Sequence, residues 1–306
     1  MIKILQGNCI EKIKELDDNS IDCVVSSPPY FGLRDYGVDG QFGLEKTYHD
    51  YLANTVKVFE TFKPKLKDTA TIWWNVGDSY NSTNGFCRNK GKYKRKGRDG
   101  GSNDKKLIKN SIIKEKDLMM IPNRVAIALQ DAGWYIRSEI IWHKPNPMPE
   151  SVRDRPTSCH EKIWLITKNK KYYYDAESIK EPVVTPIDAK AGHKFGGNKT
   201  TKELNPIISG KKWKYSSTRN KRNVWTITTK PFKDAHFATF PKDLIEPCIK
   251  AGCPEGGVVL DPFGGSGTTG IVAALNNRNA ILIELNQNYI DIANKRIDKE
   301  VGLFSG

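Results

Sequence analysis

The 306-residue chain lacks the features that mark membrane, secreted and metal-binding proteins. It has no run of 18 apolar residues, so no segment is predicted to span a membrane. Residues 1–5 lack the charged-then-apolar layout of a secretory signal and predict a strand. The six cysteines form no CxxC pair, and no histidine cluster has metal-ligand spacing. We therefore expect reduced thiols, no bound metal and a cytoplasmic location.

Negative charge is scarce in two long segments of the chain. The net charge is +14, and residues 81–116 hold twelve Lys or Arg against three acidic residues, while residues 183–222 hold ten against two. The rest of the chain is close to neutral. This distribution is typical of a protein that binds a polyanion, although solvated loops with no ligand have the same composition. Neither segment shows a sustained period, so residues 81–116 predict a mobile loop and residues 183–222 an inserted module.

The remaining segments alternate between strands and helices. Compact apolar runs predict strands at 2–5, 22–26, 69–76, 135–142, 162–167, 257–260 and 280–283. Helical spacing of apolar residues predicts helices at 9–16, 51–62, 121–132, 240–251, 268–275 and 289–301. Because such alternation produces mostly parallel sheets covered on both faces, the chain predicts an α/β fold.

A glycine-rich turn connects a predicted strand to a predicted helix at residues 257–270 (GVVLDPFGGSGTTG). Gly265, Gly267 and Gly270 have GxGxxG spacing, which favours a ligand lying against the backbone at a helix N-terminus. No lysine follows the last glycine, so the turn is not a Walker-type phosphate loop.

Two acidic residues favour one class of ligand for this turn. Asp261 would repel the pyrophosphate of a dinucleotide but would attract an ammonium group. Glu284 ends the next predicted strand, a position from which an acid accepts hydrogen bonds from ribose hydroxyls. S-adenosylmethionine carries both an ammonium group and a ribose. A helix-capping role for Asp261 is the alternative.

The segment Ser27–Tyr30 (SPPY) follows an apolar strand directly. Two consecutive prolines fix the backbone and leave carbonyl groups free, so a hydroxyl and an aromatic ring are held rigidly at a strand end. Taken alone, the segment favours a simple strand-terminating turn.

Together the two segments resemble the motifs of DNA amino-methyltransferases. SPPY is similar to their catalytic motif, Asp/Asn/Ser-Pro-Pro-Tyr/Phe/Trp, and residues 261–269 are similar to their cofactor motif, DPFxGSGTT. The catalytic motif comes first here, as in the permuted β group, where a target-recognition region lies between the motifs. The resemblance implies a Rossmann-like class I methyltransferase fold with a mostly parallel seven-stranded sheet and helices on both faces. It places the catalytic domain at residues 1–182 and 223–306 and the recognition region at 183–222.

The resemblance also implies a set of residues that bind S-adenosylmethionine. Segments at 6–9 (QGNC), 73–79 (WWNVGDS), 222–225 (RNVW) and 236–241 (HFATFP) match the group as well. Asn8 replaces an acid of the family pattern, and its amide can still bond the adenine edge. The implied cofactor residues are Asn8, Cys9, Phe237, Asp261, Pro262, Phe263, Gly265, Ser266, Gly267, Thr268, Glu284 and Leu285.

The resemblance assigns the chemistry to Ser27, Pro28, Pro29 and Tyr30. An exocyclic amino nitrogen gains positive charge as it attacks a sulfonium methyl, so acceptors must face its hydrogens. The Ser27 side chain and the Pro28 carbonyl would be those acceptors, and Tyr30 would stack on a base flipped out of duplex DNA. Serine in the first position is typical of N4-cytosine enzymes and aspartate of N6-adenine enzymes, so cytosine is favoured and adenine remains open.

The two basic segments would grip DNA phosphates. The candidate DNA-binding residues are Arg95, Lys96, Lys212, Trp213, Tyr215 and Arg219. Trp213 and Tyr215 are equally interpretable as the small core of the inserted module. The resemblance further implies a prokaryotic or phage source and a monomer or homodimer, and it leaves open a partner restriction endonuclease.

Four rival interpretations are compatible with parts of the sequence. A nicotinamide-dependent oxidoreductase would use the GxGxxG spacing but leaves SPPY and the basic segments unexplained. An inactive DNA-binding methylase fold and an RNA substrate are the second and third. A C5-cytosine enzyme would need a cysteine nucleophile such as Cys248 after Pro247, but that residue falls in a predicted helix and is interpreted as core.

Overall fold

The computed structural model contains one large sheet with helices on both of its faces. It describes residues 1–33, 37–38, 40–81, 113–183, 217–229 and 240–302. The strands are β1 (Ile2–Gln6), β2 (Ile21–Ser26), β3 (Leu66–Val76), β4 (Tyr135–His143), β5 (His160–Thr167), β6 (Glu181–Pro182), β7 (Thr218–Arg219), β8 (Val224–Thr226), β9 (Val258–Asp261) and β10 (Asn279–Glu284). The helices are α1 (Cys9–Lys14), α2 (Tyr48–Phe62), α3 (Ile121–Asp131), α4 (Lys242–Gly252), α5 (Thr268–Leu275) and α6 (Gln287–Glu300).

The large sheet has the order β1-β10-β9-β2-β3-β5-β4-β8. All neighbouring strands are parallel except the β3–β5 and β5–β4 pairs. The predicted mostly parallel α/β sheet is therefore confirmed. The chain moves from β2 to β3 on one side and from β9 to β10 on the other, so the sheet has its topological switch point between β2 and β9.

The predicted number of seven strands is wrong, because β8 adds an eighth. This strand has only three residues and pairs in parallel with the end of β4. Trp225 is buried between two exposed neighbours, Val224 and Thr226. Such a short strand produces no apolar run in the sequence, and its pairing with β4 defines it.

Each face of the sheet has its own hydrophobic core, and side chains of β3 point alternately into the two cores. Trp74 packs with residues of α1, α2 and α3, whereas Trp73 packs with residues of α4 and α5. Adjacent side chains of a strand point to opposite faces, so these two tryptophans anchor the two helical layers. Cys248 is 1% exposed within α4, which confirms its interpretation as a core residue.

The described ends of both basic segments are tied to the body of the protein. Asn81 exchanges backbone hydrogen bonds with Asp117 and Lys116 at 2.8 and 2.7 Å, and its side chain donates to the Ile113 carbonyl at 2.7 Å. At the second segment, β6 pairs with β7 in a two-stranded ladder. Residues 82–112 and 184–216 lie outside the described residues. No helix in the described ranges is long and apolar enough to cross a membrane.

Candidate active site

A cleft of about 1110 Å³ opens at the carboxyl edge of the parallel strands. The segments that follow β1, β2, β4, β9 and β10 all contribute to its lining, together with the first residues of the antiparallel β5. Ligands of open α/β sheets bind at this edge, beside the topological switch point. The two motifs singled out in the sequence lie on either side of that point.

Asp261 lines the cleft at the end of β9 and is 1% exposed. Its Oδ1 accepts hydrogen bonds from the Ser26 hydroxyl at 2.6 Å and from the Phe263 backbone NH at 3.1 Å. Its Oδ2 accepts one from the Thr269 hydroxyl at 2.5 Å. The Ser26 bond crosses the switch point and joins the ends of β2 and β9 directly. Burial raises the pKa of Asp261 to about 6, against the opposing effect of these hydrogen bonds.

The glycine-rich turn is fixed by contacts from two neighbouring elements. Glu284 accepts hydrogen bonds from the backbone NH of Gly265 at 2.9 Å and of Asn286 at 2.8 Å. The Arg296 guanidinium on α6 donates to the Ser266 carbonyl at 2.6 Å and to the Thr268 hydroxyl at 3.0 Å. Gly265 has a φ of +50°, which glycine adopts without strain. Hydrogen bonds with Glu284 and Arg296 therefore fix the conformation of the turn.

The hydroxyls of the SPPY segment belong to a short hydrogen-bond chain. Ser27 Oγ lies 3.2 Å from the Tyr30 hydroxyl, which lies 2.6 Å from Glu161 Oε2 and 3.1 Å from Asn75 Oδ1. Glu161 is the second residue of β5, and its other carboxylate oxygen accepts from Lys144. Burial, followed by the adjacent Glu161 charge, raises the pKa of Tyr30 well above its usual value, so the phenol keeps its proton at neutral pH.

This chain fixes the direction in which the Ser27 hydroxyl points. The phenol of Tyr30 has a single hydrogen, which goes to Glu161 because that contact is shorter and its acceptor is charged. The phenol oxygen then acts as the acceptor for the Ser27 hydrogen. The lone pairs of Ser27 Oγ are left for a hydrogen-bond donor in the cleft. Ser27 is thereby prepared as an acceptor, which is the role that the amino-methyl transfer chemistry requires.

Lys144 and Gly77 both support this hydrogen-bond chain, at Glu161 and at Tyr30. The Lys144 ammonium lies 4.3 Å from the ring centroid of Trp142 while it pairs with Glu161. Both charged side chains are largely buried, so each compensates the other's loss of hydration. A Cβ at Gly77 would lie 2.4 Å from the Tyr30 ring, so only glycine leaves room for the ring there.

Most of the residues predicted for the site line this one cleft. They are Asn8, Cys9, Ser27, Pro28, Pro29, Tyr30, Asp261, Pro262, Phe263, Gly265, Ser266, Thr268, Glu284 and Leu285. Asn8 also caps α1, because its Oδ1 accepts from the Ile10 backbone NH at 2.9 Å. Burial raises the pKa of Cys9 to about 12, so it lines the cleft as a neutral thiol.

Two predicted residues have other contacts in the structure. Gly267 is absent from the cleft lining, and a Cβ there would lie 3.0 Å from the Ala293 Cβ of α6. Its role in the structure is close packing of the turn on α6. Arg219 pairs with Glu181 at 2.8 Å across the β6–β7 ladder. The remaining predicted residues, Phe237, Arg95, Lys96, Lys212, Trp213 and Tyr215, lie outside the described residues.

Sequence reasoning missed Glu161 and Lys144. Each occupies a strand end at the cleft edge, and each is charged beside a buried apolar strand. A charged residue at the end of a strand is the signal that the sequence offers for both. The sequence does not indicate that Glu161 contacts Tyr30, because this contact depends on the antiparallel pairing of β3, β5 and β4, which leaves no mark in the sequence. Asn75 lay in a matched segment without an assigned role.

Comparisons with known proteins show the family of the chain. Residues 21–295 match the family model of the N6/N4 methyltransferases, described as DNA methylase. The type II methyltransferase M.SmaI of Serratia marcescens is 45% identical over 295 residues, covering 96% of this chain and 90% of that protein. The type II methyltransferase M.Cfr9I of Citrobacter freundii is 42% identical over 306 residues, covering 97% and 88% respectively.

Solved structures of low sequence identity share the fold. The PvuII DNA methyltransferase (cytosine-N4-specific) superposes with a TM-score of 0.63 at 19% identity, covering 96% of this chain and 86% of that one. M1.HpyAVI, in complex with SAM, superposes with a TM-score of 0.55 at 17% identity, covering 97% of this chain and all of that one (100%). On the family match and its close relatives, the chain belongs to the N6/N4 family of DNA methylases.

Proposed function

We propose that the protein is a site-specific DNA methyltransferase that transfers a methyl group from S-adenosylmethionine to the N4 amino group of cytosine. The observation that carries the proposal is the Ser27 hydroxyl, oriented as an acceptor beside the Asp261 turn. Serine in the first motif position favours cytosine, and the structural neighbour PvuII methyltransferase is described as cytosine-N4-specific. The names of the relatives M.SmaI and M.Cfr9I place those proteins in type II systems, which supports a role in restriction–modification here.

The residues of the cleft fit S-adenosylmethionine. A volume of about 1110 Å³ holds a drug-sized ligand together with a flipped base. The buried Asp261 carboxylate suits the ammonium group of the methionine end, and each Glu284 oxygen retains a lone pair for a ribose hydroxyl. Asn8 uses its oxygen to cap α1, so its amide NH₂ is the group that meets an adenine nitrogen. The neighbour M1.HpyAVI is described in complex with SAM.

The bound cofactor supplies an electrophilic sulfonium methyl group. Ser27 Oγ and the Pro28 carbonyl accept hydrogen bonds from the target amino group, which raises electron density on its nitrogen. With the cofactor held by Asp261 and Glu284, the nitrogen lone pair would take its methyl group, the N–C bond forming as the S–C bond breaks. The positive charge on the nitrogen would be relieved by release of one of its protons to solvent, because neither the Ser27 hydroxyl nor the Pro28 carbonyl holds a proton at neutral pH. Tyr30 stacks on the base while its hydroxyl holds Ser27 in orientation.

Product analysis tests the assignment directly. Duplex DNA with randomised sequence would be incubated with the protein and S-adenosylmethionine, and its nucleosides identified by mass spectrometry, with the site located by single-molecule sequencing. We expect N4-methylcytosine at one sequence. N6-methyladenine alone would refute the base assignment, and 5-methylcytosine alone would refute amino-group transfer. Duplex RNA as competitor separates the two nucleic acids, because an RNA enzyme would lose its DNA signal.

A variant pair tests the role of Ser27. Ser27→Ala removes the acceptor, and we expect turnover to fall about 10²-fold or more while S-adenosylmethionine still binds. Ser138→Ala is the matched control, because this hydroxyl lies in β4 away from the cleft lining. Loss of cofactor binding in Ser27→Ala would contradict the assigned role.

A further inference from the structure

An exposed apolar side chain stands at the mouth of the cleft. Met148 lies in the connection between β4 and β5 and is 86% exposed. Among the large apolar residues of the described ranges, only Met1 is more exposed. Met148 lines the cleft together with Pro147 and Lys144. Its position therefore requires an explanation other than packing against the core.

The segment that carries Met148 is stiff and anchored on both sides. Pro145, Pro147 and Pro149 alternate along it, and each fixes its own φ angle. On one side, Asn146 exchanges two hydrogen bonds with the Thr229 backbone, at 3.0 and 3.1 Å.

On the other side of Met148, Glu150 accepts hydrogen bonds from Arg155 at 2.7 Å and from the Ser158 backbone NH at 3.3 Å. Arg155 in turn lies 3.7 Å from the ring centroid of Tyr80. These contacts hold the backbone on both sides of Met148, so the fold presents this side chain at the cleft.

The nucleic acid must change shape at this place. The neighbouring bases cover both faces of the amino nitrogen of a paired cytosine, so the base has to leave the stack to reach Ser27, which costs unstacking and unpairing energy. The gap it leaves is apolar on two sides, because base faces line it. Other DNA-binding proteins that unstack neighbouring bases insert apolar side chains between them, methionine among them. The unbranched, polarisable methionine side chain adapts well to base faces.

We propose that Met148 enters the duplex at the position vacated by the target base and holds the flipped state. The proposal rests on the proposed function, since the gap forms only if a base is flipped into the cleft. The ligand is double-stranded DNA. Met148 acts as a positioning residue, because it touches the neighbouring bases and not the reacting atoms.

Two substrates distinguish this role from a structural one. The first is a duplex carrying the target sequence found by product analysis, and the second is the same duplex with the target base opposite an abasic residue. Met148→Ala should lower kcat/KM about tenfold or more on the paired duplex, and much less where pairing no longer opposes flipping. Met148→Leu should retain activity. Ile127→Ala is the matched control, because Ile127 is an exposed apolar residue of α3 outside the cleft lining.

A fluorescent readout accompanies the kinetics. Pyrrolocytosine in place of the target base brightens when it leaves the stack, and Met148→Ala should reduce that signal at saturating protein. Equal activity of wild type and Met148→Ala on the paired duplex would overturn the proposal, as would an equal loss on both substrates. If product analysis finds no methylated base for the wild-type protein, the proposed function fails and the proposal with it. An active wild type with an unaffected Met148→Ala refutes the Met148 role alone.

Discussion

The protonation of Asp261 should control the affinity for S-adenosylmethionine. Burial raises its pKa to about 6 in the free protein, whereas a bound ammonium group would stabilise the carboxylate and lower that value. Binding therefore selects the ionised form. Because the pKa is higher in the free state, affinity is full above pH 6 and is lost as the pH falls through 6.

The size of the effect follows from the ionised fraction. With a pKa of about 6, roughly nine-tenths of the protein carries an ionised Asp261 at pH 7 and roughly one-tenth at pH 5. The dissociation constant should thus rise about tenfold between these pH values, which corresponds to about 1.4 kcal/mol of binding free energy. Burial also raises the pKa of the neighbouring Glu284, so its contribution has to be separated.

Isothermal titration calorimetry at pH 5, 6 and 7 measures this dependence. Asp261→Asn keeps the side-chain shape, and we expect its affinity to be weaker at pH 7 and to lose the tenfold change. Glu284→Gln is the matched control and should retain the change assigned to Asp261. Circular dichroism at pH 5 verifies that each variant is folded. An unchanged dissociation constant in the wild type from pH 7 to 5, or the same slope in Asp261→Asn, would refute the reasoning.

Two further predictions concern the support of the catalytic serine. Tyr30→Phe removes the acceptor for the Ser27 hydrogen, and Glu161→Gln removes the charge that orients Tyr30. Both variants should therefore lower kcat in steady-state assays and leave the cofactor affinity measured by calorimetry unchanged. Equal losses of kcat and of cofactor affinity would contradict this. Gly77→Ala places a Cβ 2.4 Å from the Tyr30 ring and should displace it, which lowers kcat in steady-state assays with little change in cofactor affinity, and wild-type kcat would show that the ring position does not matter.

The parallel half of the fold was predictable because its signals are local. Apolar runs of four to eight residues identified seven strands, and the glycine turn identified the start of α5 at Thr268. Proline before Lys242 and glycine after Asp131 bounded α4 and α3 closely. Observed boundaries lie within three residues of the predicted ones. The strands β3 and β5 begin earlier than predicted because their first residues include polar ones that carry no apolar signal.

Site residues that belong to local motifs could be predicted, whereas those placed by the pairing of distant strands could not. Asp261 and Ser27 lie in local motifs, and both line the cleft. Glu161 reaches Tyr30 only through the antiparallel insertion of β5 between β3 and β4, which neither segment reveals alone. The hydrogen bonds that anchor Asn81 were missed for a similar reason, because its partners lie more than 30 residues further along the chain.

The hydrogen bond between Ser26 and Asp261 joins residues 235 positions apart in the chain. β2 pairs with β9 across a similar distance, so β2 keeps an unpaired edge until β9 has been synthesised. Long-range parallel pairing of this kind forms slowly, since the closure of a large loop precedes any contact. During synthesis on the ribosome, the cleft can therefore be assembled only after β9 has been made. A chain that ends before β9 would contain the SPPY segment but not Asp261 and the glycine-rich turn, which we propose hold the methyl donor.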